Sequence, residues 1–102
     1  MIRARSMEEY QDLINQALYD VQDLRASIEY DEEFMGDALV FLDPLEAGIR
    51  ELNQAIMDGH YQFSKKNLPF MSIVYETPGS LLPFKQLLIR INDTHIHGLE
   101  KQ

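Results

Sequence analysis

The sequence predicts a small all-α domain spanning residues 1–102. Its frame is a long antiparallel helical hairpin, over about 7–29 and 32–58, with a third helix over about 81–97 packed against it. The expected result is a three- to four-helix bundle. Three apolar stripes carry this prediction. Each advances in steps of three and four, the spacing that keeps residues on one face of a helix.

The first stripe is Met7, Tyr10, Ile14, Ala17, Val21, Leu24 and Ile28, widened by Leu13 and Leu18. Asp12, Gln16, Asp20 and Asp23 fall off it. Ser6 and Glu9 have the spacing of a capping box, which satisfies two amide donors at a helix start. The second stripe is Met35, Ala38, Leu42, Leu45, Ile49, Leu52 and Ile56. It crosses Pro44 in phase. Asp43-Pro44-Leu45-Glu46 is nevertheless a good helix start, with Asp as cap and Pro at the first helical position. The second helix is therefore expected to be kinked or broken at Pro44, with Gly59 as its stop. Tyr30-Asp31-Glu32-Glu33 gives the short polar connection of a hairpin. Asp31, Glu33 and Gly36 suggest a calcium loop, but Met35 and Leu42 occupy positions that need oxygen ligands.

The third stripe is Leu81, Phe84, Leu88, Ile91 and His95, with Ser80 as expected cap, Pro83 in the first turn and Gly98 as stop. Between stripes, Leu68–Tyr75 is too apolar for a plain loop. A strand there has no partner in the chain, so a short helix opened by Asn67 and Pro69, or an irregular packed segment, is expected.

Composition limits function. The 102 residues carry 9 Lys and Arg against 17 Asp and Glu, a formal charge of −8, and no Cys. Zinc-finger and disulfide scaffolds are excluded. The acidic balance argues against a nucleic-acid partner. The longest apolar run, Ala38–Leu42, is far too short for a membrane span, and acids interrupt any signal-like start. A cytoplasmic location is the expectation. The charge is also uneven. Residues 1–58 hold four Arg against fourteen acids, a net of −10, whereas residues 59–102 have a net of +2.

No phosphate-binding loop, dinucleotide fingerprint or G-x-S-x-G nucleophile elbow occurs, and no cofactor is expected. One local cluster carries possible chemistry: Asp93, His95, His97 and Glu100. On a helix Asp93 and His97 share a face, while His95 lies on the apolar stripe and faces another way. One reading makes these residues a metal or proton-transfer site. The simpler reading has His95 closing the core with a ring nitrogen on a carbonyl. Lys65-Lys66 reads as a solvated loop pair, and the scattered tyrosines form no evident stacking platform.

The functional expectation is a non-enzymatic protein–protein interaction module, an adaptor, regulator or small chaperone-like protein that self-associates as a homodimer. Its candidate contact residues are Asp20, Asp23, Glu29, Glu32, Glu33, Phe34 and Phe41. The stretch Phe34–Leu42 is apolar on most sides, which asks for partners on most sides. An acidic inhibitor that covers a basic site is the alternative. A His/carboxylate metal-binding or proton-transfer protein is a further one.

Overall fold

The computed structural model describes residues 3–30 and 35–100, without the side chains of 29–30 and 35–39. Its elements are α1 (Met7–Tyr30), α2 (Met35–Met57), α3 (Met71–Glu76) and α4 (Lys85–His97). No strand occurs among the described residues. The fold is all-helical and bundle-like, as the stripes predict.

Helix α1, with 24 residues, is about 36 Å long at ~1.5 Å per residue and dominates the longest dimension, 45 Å. Its stripe is the core: Tyr10, Ile14, Ala17, Val21 and Ile28 are buried. Only half of the capping box forms. Ser6 Oγ accepts the Glu9 amide at 3.0 Å, but the Glu9 carboxylate turns to Arg90 at 3.5 Å rather than back to Ser6. An ion partner on a neighbouring helix outcompetes the local backbone donor.

Helix α2 is continuous through Pro44, so the broken alternative does not hold. Pro44 lacks the N–H that would bond the Val40 carbonyl. Both residues are exposed, so water reaches the freed acceptor, and Leu42, Leu45, Ile49 and Leu52 stay buried in one phase. Gly59 follows at φ 77, a conformation suited to glycine, and ends the run as expected.

The two long helices run antiparallel. Tyr10 near the start of α1 meets Tyr61 just beyond α2, while Arg25 near the end of α1 pairs with Asp43 at 2.8 Å and Glu46 at 3.3 Å. Glu46 also holds Arg50 at 3.1 Å. These partly exposed pairs fix register more than they add stability, each worth about 0–1 kcal/mol.

Helix α4 also opposes α1. The Tyr10 hydroxyl donates to the Ile91 carbonyl at 3.2 Å, and Ala4, fully buried, donates its amide to Thr94 Oγ1 at 3.1 Å. The Glu100 amide returns a bond to the Ala4 carbonyl at 2.8 Å, so the two ends of the described chain are tied together. The helix starts at Lys85, later than the stripe suggests, and Ser80 is not its cap. Pro83 disfavours helical geometry at Leu82 before it. Residues 78–85 instead form successive turns, with Leu81 N on Pro78 O and Lys85 N on Leu82 O.

The apolar segment before it contains α3. This helix opens at Phe70, not at Asn67 or Pro69. Met71 and Val74 are buried, and α3 packs on α4 and α2. Gly48 on α2 allows the approach: a Cβ there would stand 2.9 Å from Phe70 Cβ.

Candidate functional site

Two features combine several elements. The first is an open groove of about 310 Å³ between α1 and the turn leading into α4. It is lined by Asp20, Asp23, Leu24, Ser27, Pro83 and Phe84. The two acids lie three residues apart, off the core stripe, with Asp23 exposed and Asp20 half-buried. Gln16 Nε2 steadies Asp20 Oδ1 at 2.9 Å, and Ser27 Oγ donates to the Asp23 carbonyl at 3.1 Å. Leu24, Pro83 and Phe84 supply an apolar wall. Two of the sequence-predicted contact residues, Asp20 and Asp23, are thus brought together. Phe41 is elsewhere, partly buried against the core. The Glu29 side chain and all of Glu32, Glu33 and Phe34 lie outside the described residues, as do the side chains of residues 35–39 in the stretch read as apolar on most sides.

The second feature surrounds His95. Residues 60–68 cross α4 as a strap. The Tyr61 hydroxyl meets His95 Nδ1 at 2.6 Å and the Tyr10 hydroxyl at 3.1 Å. Ser64 N donates to the His95 carbonyl at 3.2 Å, and Leu68 N to Asn92 Oδ1 at 2.8 Å. Asn92 Nδ2 then donates to Asn67 Oδ1 at 3.0 Å. Tyr10, Tyr61, Phe63 and His95 form one aromatic cluster, with ring centroids 5.2–6.1 Å apart in the close pairs. Beside it, Glu51, His60, Pro69 and Phe70 help to line a second groove of about 250 Å³ that reaches His95.

Burial governs the ionisation of this cluster. It raises the Tyr10 hydroxyl far above the ordinary tyrosine value, assisted by Tyr61. Burial also pushes Tyr61 up to about 12, against a lowering by the Tyr10 hydrogen bond. It lowers His95 below the usual imidazole value, opposed by a backbone hydrogen bond with Lys66. At neutral pH both tyrosines keep their protons and His95 is neutral. The cluster is a chain of dipoles.

The four residues of the sequence cluster do not converge. His95 is buried on the strap side, where its ring meets the Tyr61 hydroxyl and, as expected, also makes a backbone hydrogen bond, with Lys66. His97 is half exposed, with its Nε2 3.9 Å from Asp93 Oδ1, the pair expected to share a face. Gly98, at φ 79, ends the helix before Glu100, whose one carboxylate oxygen is buried without a hydrogen-bond partner among the described residues. No group of three or more His, Cys, Asp or Glu suited to a metal occurs among the described residues. No helix of the described residues is long and apolar enough to cross a membrane.

Sequence reasoning did not foresee the His95–Tyr61–Tyr10 chain or the buried roles of Asn92 and Thr94. The polar Asn92 and Thr94 flanking the stripe were the available signal. No family model, curated protein or solved structure matches the chain.

Proposed function

We propose that the chain is a non-enzymatic helical interaction module that docks a basic segment of a protein partner in the groove between α1 and the start of α4. One observation supports this reading above others: Asp20 and Asp23 stand beside an apolar wall of Leu24, Pro83 and Phe84. That pairing of charge and apolar surface suits a lysine- or arginine-bearing segment with one apolar anchor. The net of −10 over residues 1–58 adds long-range attraction for such a partner.

The test uses a labelled, lysine-rich amphipathic peptide with one phenylalanine. Fluorescence anisotropy should give saturable binding that weakens as salt rises and is lost in Asp20→Lys/Asp23→Lys. Binding of equal strength to the reversed variant would overturn the proposal. If only intact basic proteins bind, and no peptide does, the acidic-inhibitor reading takes its place.

Self-association is a second reading, favoured by three large apolar side chains left in water: Val40 at 77%, Tyr19 at 67% and Met57 at 64% exposure. Light scattering should then show a dimer that dissociates in Val40→Lys. A monomer at all concentrations would remove this reading and leave the groove untouched.

A further inference from the structure

The strap and its histidine lie apart from the acidic groove and share none of its lining residues. Five contacts hold residues 61–68 to α4: the Tyr61 hydroxyl and the Lys66 backbone meet the His95 ring, Ser64 N meets the His95 carbonyl, and Leu68 N and Asn67 meet the Asn92 side chain. Asn92 and His95 are three residues apart and so share one helix face. The Tyr61 hydroxyl also meets Tyr10 on α1, and His60 N and Tyr61 N on the Ala55 carbonyl lie at the strap's α2 end and act as its hinge.

Only one of the α4 anchors ionises near neutral pH. With His95 neutral, Nδ1 can accept the Tyr61 hydrogen while Tyr10 donates to Ile91. A second ring proton has to be placed on Nδ1. Tyr61 must then turn its hydroxyl hydrogen toward Tyr10. The tyrosines can make this turn, but they cannot supply a counter-charge. The charged and titratable groups around the ring offer little help. From α1 comes Tyr10, and from the strap come His60, Tyr61, Lys65 and Lys66. From α2 comes Glu51, on the exposed wall of the neighbouring groove. On α4 itself, Asp93 stands two residues from His95 on another face, 3.9 Å from His97. Among the described residues no carboxylate contacts the ring, so a buried imidazolium keeps only the Lys66 backbone and the Tyr61 oxygen, whereas the released strap gives it water.

We propose that residues 60–68 form a pH-sensitive strap, latched on α4 by neutral His95 and released when that ring takes up a proton. Release uncovers the buried Tyr10 ring and extends the apolar surface that Phe63 and Tyr61 already expose in part. The linkage has a definite sign. Burial holds the latched pKa below the ordinary ~6.5 that the open strap restores. Latching is therefore complete above about pH 6.5 and is lost as pH falls through the lowered value.

The full chain, labelled with ¹⁵N, supplies the test by NMR. The His95 ring should titrate below its ordinary value. Amide-exchange protection of Ser64 and Leu68, corrected for intrinsic rates, should fall over the same range by up to about tenfold per pH unit, the limit for one proton. Amides in the middle of α1 should not follow. In His95→Gln, which keeps a hydrogen-bonding group but cannot charge, strap protection should be flat with pH. His60→Gln should leave the wild-type profile in place. Titration of His95 at or above ~6.5, strap protection that ignores pH, or loss of the effect in His60→Gln would each overturn the proposal. The wild-type titration decides the matter even if His95→Gln does not fold.

Discussion

Gly48→Ala tests whether α3 is seated on α2 as described. The new Cβ would stand 2.9 Å from Phe70 Cβ and 3.1 Å from its Cδ2. Carbon atoms in ordinary contact sit ~3.5–4.0 Å apart, so the two backbones must separate by at least about 0.6 Å. A rotamer change at Phe70 gives no relief, because the nearest atom is its own Cβ. Phe70 is 3% exposed, and its carbonyl accepts the Ile73 and Val74 amides that open α3. Moving it therefore moves the helix start. Overpacking of this kind costs about 1–3 kcal/mol. Ala in place of Gly returns about 1 kcal/mol of helix propensity. The net is a loss of about 1 kcal/mol, or a fall of roughly 4–8 °C in Tm for a domain of this size. Urea unfolding followed by far-UV circular dichroism measures it, with an unchanged slope as the sign of two-state behaviour. Phe70→Ala keeps the Cβ, so it should not rescue Gly48→Ala. A variant more stable than wild type by about 1 kcal/mol would refute the reasoning, because it would mean that nothing opposes the new methyl.

Two further outcomes follow from the buried polar contacts. Thr94→Val keeps the shape of a fully buried side chain but removes the acceptor of the Ala4 amide. It should cost about 1–3 kcal/mol and free the N-terminal segment, seen as faster exchange of the Ala4 and Glu100 amides. Global stability should also decline as pH drops from about 6.5 through the lowered His95 value, because the unfolded chain then binds the extra proton. His95→Gln should remove that component of the pH profile.

The long elements were legible because their stripes are their packing. Tyr10, Ile14, Ala17 and Val21 on α1, and Leu42, Leu45, Ile49 and Leu52 on α2, are spaced at the helical period and buried accordingly. Kink and break at Pro44 both stood open in the sequence, and the continuous helix follows the in-phase stripe rather than the local cap signal. The start of α4 was misplaced because a stripe reports a face and not a boundary. Leu82 and Phe84 are buried in turns as well as they would be in a helix. Of the candidate site, Asp20 and Asp23 could be read from their absence from the stripe. Their apolar neighbours Pro83 and Phe84 could not, since they arrive from about sixty residues away in sequence. The Tyr61–His95 contact was hidden for the same reason. Nothing periodic marks residues 60–68, and what orders them is polar bonding to α4, which leaves no pattern in the chain.

The central claim is that a basic segment docks where α1 meets the start of α4. Amide-shift mapping of the ¹⁵N-labelled chain during titration with the lysine-rich peptide tests this most directly. The account predicts shifts concentrated at Asp20, Asp23, Leu24, Ser27 and Phe84, fading together as salt rises. Shifts spread evenly over the acidic surface of residues 1–58, or centred on another face, would contradict it.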